Sequence, residues 1–548
     1  MKWTARIEPT GNELADLHTT AFDRVAHLYD GQDPHKLETY EARANRIAPL
    51  FTQEHRAALV AALRPHLEAI GASGAALDRL EQLRDARAVA VVTGQQAGLF
   101  TGPLYAIYKA LSAVGLAERL TRELQRPVVP IFWVASEDHD WAEVNHAYVL
   151  DAQDGVQRIQ WPRDPQAHQM VYHHALLQED VDAVIQEAYR VVPEGPMKSE
   201  VLRMFRAAWT AGDSLSMWFA RVMAELFQSF GLVMLDPCLP ALRALVRPVW
   251  RTAMERVDDV QAALEAAYAD VQAMGVEPAV VRDRENATLF YVQDGKRFVL
   301  ETDGPGRLRV RGAGLSKPVE VWQQIAEESP DAFSSNVLLR PVVQDFLLPT
   351  LAYVGGPAEI AYHALSRAVF HVHGRELPPL LLRQRMTWYP ASVLRNMAKW
   401  HVDAARLTGP TDLVSPRLKD LGFASIQAEL ERMREETVRR WDDFAARIGE
   451  LGPQVRTMAT AQADRELAGI RKLESKVRRL FEQRHEAALQ QLRHIERWLW
   501  TDGHAQERRL SPLNMLVRHG VEWVAQLPAW GDYPNVGTFY HVEDGQAE

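Results

Sequence analysis

The sequence predicts an α/β fold with a parallel-sheet core, inserted connecting segments and a C-terminal α-helical antiparallel coiled coil. An apolar run at 88–92, a helical segment and a second apolar run at 128–135 together form a βαβ unit. The order of apolar strand, glycine turn and helix recurs over 347–372. From 426 to 499 the apolar residues recur at intervals of three and four, which is typical of a coiled coil.

These patterns divide the chain into four regions. Residues 1–87 have mostly helical patterns and are expected to pack on the core, which spans 88–390. Residues 391–505 form the predicted coiled coil, whose two arms meet at Gly452-Pro453. Residues 506–548 are rich in aromatic side chains, so we expect them to return to the core.

Two insertions interrupt the predicted core, at about 145–210 and about 276–335. Within the second, 276–315 alternates apolar and polar residues between turn signals, which predicts a small antiparallel meander. One long helix is predicted over 240–272, and 380–389 is expected to be the last strand of the core.

The bulk composition excludes several classes of function. The 548 residues carry a formal net charge of -10, which argues against nonspecific binding to nucleic acid or to an anionic membrane. The N-terminus has no apolar signal segment, and no apolar run reaches membrane-spanning length, so we expect a cytoplasmic protein. Cys238 is the only cysteine, which excludes an intrachain disulfide and a cysteine metal cluster.

A glycine-rich loop between the first strand and its helix, from Thr93 to Gly102, predicts an anion site. The backbone N–H groups at a helix N-terminus attract negative charge, and glycines let a ligand approach the backbone. The loop matches neither the dinucleotide fingerprint nor the phosphate-binding P-loop, and its glycines are also compatible with a simple tight turn. The candidate substrate-binding residues here are Thr93, Gly94, Gln95, Gln96, Gly98, Gly102, Tyr105 and Lys109.

A cluster of titratable residues follows the second strand. Asp138, His139 and Asp140 are the predicted catalytic residues, because carboxylates and imidazoles at a strand's carboxyl end can act as general bases. Glu137 and His146 are assigned to substrate binding. The cluster could also hold a hard divalent cation, or be a solvated acidic turn, and we assign no metal ligand.

A third candidate group surrounds the glycine turn of the second strand-glycine-helix pattern. Its members face the same edge of the sheet if the strands are parallel, and the arginine among them suits bidentate contact with a carboxylate or phosphate. An ordinary helix start, with an acid answering the helix dipole, explains the turn equally well. The candidate substrate-binding residues are Arg340, Gln344, Gly355, Gly356, Glu359, Tyr362 and His363.

Three long motifs resemble the BshC family, the cysteine-adding enzymes of bacillithiol biosynthesis. They are VVTGQQAGLFTGPLYAIYKA, VVPIFWVASEDHDWAEVNHAYV and NVLLRPVVQDFLLPTLAYVGGPAEIAYHA, and the resemblance runs in order over essentially the whole chain. It implies a Rossmann-like core, a coiled coil that forms a homodimer, and a ligase that joins L-cysteine to the amine of glucosamine-malate. The HIGH signature of class I synthetases is absent, so the resemblance leaves the activation chemistry open, with ATP or another nucleotide as the candidate cofactor.

Two other functions fit the residues without the resemblance. A binding or scaffold protein would act through its coiled coil and keep the core as a nucleotide-type fold. A metal-dependent hydrolase would use the cluster from Glu137 to His146. Cys238 is more typical of a small buried residue than of a nucleophile.

Overall fold

Two compact units make up the chain in a computed structural model, which describes residues 2–403, 407, 409–527 and 538–543. The first unit runs to Trp388 and resumes at Glu507, and the second runs from Tyr389 to Gln506. The chain thus leaves the first unit and comes back to it.

The strands, in chain order, are β1 Lys2–Ile7, β2 Val89–Gln95, β3 Val128–Val134, β4 His146–Leu150, β5 Val156–Gln160, β6 Val233–Leu235, β7 Asn286–Gln293, β8 Lys296–Thr302, β9 Arg307–Val310, β10 Ser316–Pro318, β11 Phe333–Ser335, β12 Thr350–Gly355, β13 Leu380–Leu382, β14 Arg385–Tyr389, β15 Trp500–Thr501, β16 His504–Ala505 and β17 Thr538–Glu543.

The α-helices are α1 Glu13–Thr20, α2 Leu37–Ile47, α3 Gln53–Ala69, α4 Gly74–Gln82, α5 Tyr105–Leu124, α6 Trp141–Val144, α7 Gln178–Val191, α8 Lys198–Ala207, α9 Leu215–Leu226, α10 Pro240–Leu245, α11 Arg247–Glu255, α12 Val257–Ala273, α13 Val319–Glu328, α14 Arg340–Leu347, α15 Pro357–Val372, α16 Ala391–Trp400, α17 Val414–Leu418, α18 Ala424–Arg447, α19 Pro453–Arg484, α20 Glu486–Leu499, α21 Gln506–Arg509 and α22 Leu513–His519.

A five-stranded parallel sheet lies at the centre of the first unit, in the order β13-β12-β2-β3-β6. Its strands are apolar and buried, as strands covered on both faces must be. The helix α5 joins β2 to β3, and α15 joins β12 to β13. The prediction of a Rossmann-like parallel sheet is confirmed, and the carboxyl ends of β2, β3 and β12 lie side by side.

Several predicted element boundaries were wrong. The strand β2 extends to Gln95, so Thr93 and Gly94 are strand residues rather than loop residues. The segment 380–389 forms two strands in different sheets, since β13 joins the parallel sheet while β14 joins β17 and β1. The predicted helix 240–272 is broken into α10, α11 and α12. Residues 1–87 are mostly helical as predicted, with the strand β1 before the first helix.

The two insertions have regular structure of their own. Strands β4 and β5 form an antiparallel hairpin, followed by α7 and α8. The predicted meander is present as β7 to β10, and β11 adds a fifth strand beside β7. The first insertion follows β3 and the second follows α12, and of the two only the second contributes residues to the cavity at the carboxyl edge of the parallel sheet.

The second unit contains the coiled coil. Two ion pairs join α18 to α19, Arg434 with Glu474 and Arg440 with Glu466. The later residue of α18 pairs with the earlier residue of α19, so the two helices are antiparallel. Gly452, at φ 110°, makes the turn between them. The predicted second arm is not one helix, because α19 ends at Arg484 and α20 begins at Glu486.

The C-terminal segment belongs to the first unit. Trp523 is fully buried there, and β17 pairs antiparallel with β1, with Tyr540 opposite Ala5. Trp530 and Tyr533 also belong to the aromatic segment that we expect to return to the core, but they lie outside the described residues. Within the described ranges, no helix has both the length and the apolar character needed to cross a membrane.

Gly94 marks the closest approach between the two central strands. A Cβ at this position would lie 2.8 Å from the carbonyl oxygen and 3.1 Å from the Cβ of Trp133, which is fully buried in β3. Neither atom can move without separating β2 from β3. We therefore expect Gly94→Ala to destabilise the fold by about 1–3 kcal/mol, measured as a lower denaturant midpoint.

Gly74, the first residue of α4, provides the matched control. A Cβ there meets no heavy atom within 4 Å, so Gly74→Ala should leave the midpoint unchanged or raise stability by up to about 1 kcal/mol. Equal midpoints for the two variants would contradict the assignment of Gly94 to this contact.

Candidate active site

A cavity of about 600 Å³ opens at the carboxyl ends of β2, β3 and β12. This is the edge at which open α/β sheets bind ligands. The meander strands β7, β8 and β11 and the segment after α12 form the opposite wall. The cavity is therefore bounded by the parallel sheet on one side and by the second insertion on the other.

Most of the predicted site residues do line this cavity. The residues that the structure brings together are Gly94, Gln95, Gln96, Tyr105, Lys109, Glu137, Asp138, His139, Arg340, Gly356, Glu359 and Tyr362. Those that do not line it are Thr93, Gly98, Gly102, Asp140, His146, Gln344, Gly355 and His363.

Lys109 is held by three acceptors at the base of the cavity. Its Nζ lies 2.8 Å from the carbonyl oxygen of Gly94 and 2.8 Å from Oε1 of Gln95, and it forms an ion pair with Glu359. An ammonium group has three donors, and all three are used. The side chain is only 3% exposed, and burial lowers its pKa, an effect that Glu359 opposes. Lys109 joins the end of β2 to the start of α15 and has no donor left for a ligand.

Glu359 is the other half of this link. Its carboxylate accepts hydrogen bonds from the Gly356 N–H at 2.7 Å and from the Tyr353 hydroxyl at 2.5 Å. Burial opposes ionisation, but Lys109 and these donors outweigh it and lower the pKa of Glu359 to about 2. The carboxylate is thus charged at every physiological pH and fixes the first turn of α15.

Gly98 and Gly102 of the predicted glycine loop do not line the cavity. A Cβ on Gly98 would lie 2.7 Å from the Cα of Gly102, so these glycines let the loop pack against itself. Between them Phe100 has φ 51° and packs edge-on against Phe205. The loop is buried and structural, whereas the strand-end residues Gln95 and Gln96 face the cavity.

Asp138 is ionised, and its carboxylate accepts several hydrogen bonds from the protein. It accepts hydrogen bonds from Gln96 Nε2 at 2.7 Å and from the backbone N–H groups of His139 and Asp140, and Arg297 Nη1 lies 3.5 Å away. Burial raises its pKa, but Arg297 and the hydrogen bonds lower it by more, so the net pKa lies below the ordinary value. A carboxylate with this many donors is a poor base.

Glu137 is bound by an arginine that the sequence analysis did not single out. Arg243 Nη2 donates to Glu137 Oε1 at 2.5 Å, and the Ser335 hydroxyl donates to Oε2 at 3.3 Å. Both charged side chains are buried. The pair holds the turn after β3 against β11, and it makes Glu137 a structural wall of the cavity.

His139 differs from its acidic neighbours because its ring nitrogen Nδ1 is buried without a hydrogen-bond partner. Asp138 Oδ1 lies 3.8 Å from this nitrogen, and the ring packs near Phe290. Burial, followed by the charge of Arg297, lowers the pKa of His139 below 6.5. At neutral pH the imidazole is therefore neutral and able to accept a proton.

The second and third predicted groups, like the glycine loop, contain residues that do not line the cavity. Asp140 is exposed outside the cavity, and the chain then turns through α6, so that His146 pairs with Gln160 in the hairpin. Gln344 is buried on α14, away from the cavity. Gly355 is the last residue of β12, where a Cβ would meet the Cβ of Glu359 at 3.0 Å.

His363 is a core histidine. It lies one helical turn after Glu359, and its Nδ1 is 2.7 Å from the Glu359 carbonyl oxygen. The ring stacks on Tyr362 with centroids 4.8 Å apart. Burial lowers its pKa to about 4, so it stays neutral within the core.

Sequence reasoning missed six charged groups of the cavity, of which Arg282 and Asp283 lie in the segment before β7 and four lie elsewhere. Arg383 follows β13 and forms a bidentate pair with Glu507, with both N–O distances 2.8 Å. Arg508 is the neighbour of that glutamate, and Arg297 comes from β8. These three lie far from the glycine motifs in sequence, and no local pattern marks them. The fourth, Glu143, was visible in the motif SEDHDWAE but was not selected.

Cys238 lies outside the cavity lining, below the turn after β3. Its sulfur is 3.3 Å from the Ser136 hydroxyl, and burial raises the pKa of the thiol to about 12. The thiol is therefore protonated and shielded. Across the described ranges, no three His, Cys, Asp or Glu side chains are grouped so that they could share a metal ion.

Comparisons with known proteins match this architecture along nearly the whole chain. Residues 2–384 match the family model described as the N-terminal Rossmann-like domain of bacillithiol biosynthesis BshC, and 386–531 match the C-terminal coiled-coil domain of BshC. Three relatives, each named "Putative cysteine ligase BshC", come from Symbiobacterium thermophilum, Heliobacterium modesticaldum and Desulforamulus reducens.

These relatives are similar over most of their length. The Symbiobacterium protein is 33% identical over 95% of both chains. The Heliobacterium protein is 33% identical over 83% of this chain and 84% of its own, and the Desulforamulus protein is 29% identical over 91% and 92%. Both family models are matched in the order in which the two units occur. The chain therefore belongs to the BshC family of bacillithiol biosynthesis proteins.

Proposed function

We propose that this protein is a cysteine ligase that joins the carboxylate of L-cysteine to the amine of glucosamine-malate in an amide bond. The observation that carries the proposal is the neutral imidazole of His139, whose Nδ1 has no hydrogen-bond partner, in a cavity lined by cationic and anionic side chains. The relatives' printed names and the bacillithiol description of the family model support the same reaction. The proposed substrates are small metabolites of the cytoplasm, which is where we place the reaction.

The base step follows from the chemistry of amide formation. An amine attacks an activated carboxylate only after it loses a proton, and the oxygen that leaves the carboxylate goes to the activating group. The proton must be accepted whichever group activates the carboxylate. General base catalysis therefore forms part of every route from cysteine and an amine to the amide.

Within the predicted catalytic triplet, we assign the base to His139 alone. Its Nδ1 has no hydrogen-bond partner and its pKa is lowered by burial, so it is neutral when the amine must be deprotonated. Asp138 serves as a positioning residue, because Gln96 fixes its carboxylate 3.8 Å from the imidazole nitrogen. Asp140 has no role in this proposal, since it lies outside the cavity.

We further propose that the protein is a homodimer through its coiled coil. On α19 the exposed apolar side chains Met458, Leu473 and Leu480 follow each other at spacings that return to the same helical face. Met433 and Phe444 form a similar exposed pair on α18, eleven residues apart. An unpaired apolar stripe of this kind is typical of an interface with a second chain.

Replacement of His139 tests the assignment of the base. We expect His139→Gln to lower the rate of bacillithiol formation by about 10²–10⁴-fold, the usual contribution of a general base. The rate is measured in extracts of a bacillithiol-deficient strain that expresses the full chain, supplied with glucosamine-malate and cysteine. His27→Gln, at an exposed histidine outside the cavity, should retain the rate. A fully active His139→Gln enzyme would contradict the assignment and favour a scaffold role.

The pH dependence gives a second test of His139. The base works only when neutral, so its contribution is complete above its pKa and is lost as the pH falls through it. Because that pKa lies below 6.5, the ratio of kcat/KM for the unmodified chain to that of His139→Gln should be flat above about pH 6.5. Below the pKa the ratio should fall about tenfold per pH unit. A ratio that does not change with pH would exclude His139 as the base.

Light scattering after size-exclusion chromatography tests the dimer. We expect twice the mass of one chain, and the mass of a single chain for the double variant Met458→Glu/Leu480→Glu, since charges on the stripe oppose its burial. Leu177→Glu changes an exposed leucine of the first unit and should remain dimeric. A monomeric unmodified chain, or a dimeric double variant, would refute the interface.

A further inference from the structure

Most charges that line the cavity are neutralised by protein groups. Lys109 pairs with Glu359, and Arg383 forms its bidentate pair with Glu507. Glu137 is paired with Arg243, which lies outside the lining. Asp138 has Arg297 at 3.5 Å. These pairs are largely buried, so they hold the walls in place and have little residual charge for a ligand.

Two cations of the lining are left over. Arg340 donates to the Tyr362 hydroxyl and forms no ion pair with any carboxylate of the described ranges. Arg508 lines the cavity with an exposed side chain, and in the described part of the chain it has neither a hydrogen bond nor an ion pair. Arginine is the side chain best suited to bidentate contact with a carboxylate.

Both arginines are connected through short chains of contacts to the first turn of α5. Arg508 follows Glu507, whose partner Arg383 lies 5.5 Å from the Tyr105 ring centroid. Arg340 donates to Tyr362, which is three residues after the Lys109 partner Glu359 on α15. Tyr105 and Lys109 are one turn apart on α5, and the Lys109 ammonium is 6.0 Å from the Tyr105 ring centroid. Arg340 and Arg508 are therefore both linked to the first turn of α5.

One carboxylate of the lining is also without a counter-ion. Burial raises the pKa of Glu143, the charges of Asp138 and Asp140 add to this effect, and a hydrogen bond with Gln96 and the charge of Lys109 oppose it. Glu143 lies on α6, four residues after His139 in sequence, and lines the same cavity. The lining charges that have no ion-pair partner in the described ranges are thus two guanidinium groups and one acid.

We propose that Arg340 and Arg508 bind the two carboxylates of a dicarboxylate substrate, with its amine directed toward Glu143 and His139. This inference rests on the proposed function, because the malyl group of glucosamine-malate carries two carboxylates and its sugar carries the amine. Arg508 is the specificity-determining member, since it enters the cavity from the segment after the coiled coil and holds no other partner.

Calorimetric titration of the full chain with L-malate and L-lactate tests the inference. Lactate lacks one of the two carboxylates of malate, so the ratio of the two affinities reports the second carboxylate contact. We expect the unmodified chain to prefer malate by at least about tenfold, which is the worth of one charge-assisted contact. Arg508→Gln should remove most of that preference, and Arg340→Gln should do the same.

Two further variants separate recognition from general charge effects. Arg158→Gln removes an exposed arginine of β5 that does not line the cavity, so its affinity ratio should equal that of the unmodified chain. Arg508→Lys keeps the charge but not the fork of donors, and should restore only part of the preference. An unmodified chain without preference for malate, or an Arg508→Gln variant that keeps the preference or loses both ligands equally, would overturn the inference.

The same measurements distinguish this inference from the proposed reaction. If malate selectivity depends on Arg508 but extracts form no bacillithiol, the subsite stands and the ligase proposal fails. If bacillithiol forms at the same rate and with the same KM for glucosamine-malate in Arg508→Gln, the ligase proposal stands and the subsite is refuted.

Discussion

The buried ion pair between Lys109 and Glu359 is the interaction on which the site depends. It joins two strand-turn-helix units that are separated by about 250 residues in sequence, and it places the end of β2 beside the first turn of α15. Two buried charges are costly unless their remaining hydrogen-bonding capacity is used. Here Gly94, Gln95, Gly356 and Tyr353 use it, so the cost of burial is offset and the geometry is unique.

This arrangement separates the structural charges from those available for chemistry. The paired groups are fixed and largely dehydrated, so they set a stable electrostatic environment without being used by a ligand. Arg340, Arg508 and Glu143, which form no ion pair within the described ranges, and the neutral His139 are the lining groups that we propose contact the substrate. A site organised in this way needs little rearrangement when charge develops in the transition state, which is the physical basis of electrostatic preorganisation.

The parallel sheet and the position of the cavity could be predicted from sequence, because apolar runs, glycine turns and helix periods are local signals. The assignment of individual site residues was less accurate, because their positions depend on local backbone geometry or on segments that are distant in sequence. Asp138 and Asp140 are two residues apart, yet backbone N–H groups bind only the first. The spacing of Gly98 and Gly102 suits an anion loop and a self-packed turn equally. Arg508 reaches the cavity from a segment that no motif connects to it.

Because the chain returns to the first unit at Glu507, the C-terminal segment is part of the same unit as the cavity. The Arg383–Glu507 pair closes the first unit on either side of the coiled-coil segment, and β17 completes a sheet with β1. A premature stop codon within the coiled coil would therefore remove part of the cavity wall and a strand of the first unit as well as the coil. An in-frame deletion that preserves both flanks would not, so the two kinds of genetic lesion in this region are not equivalent.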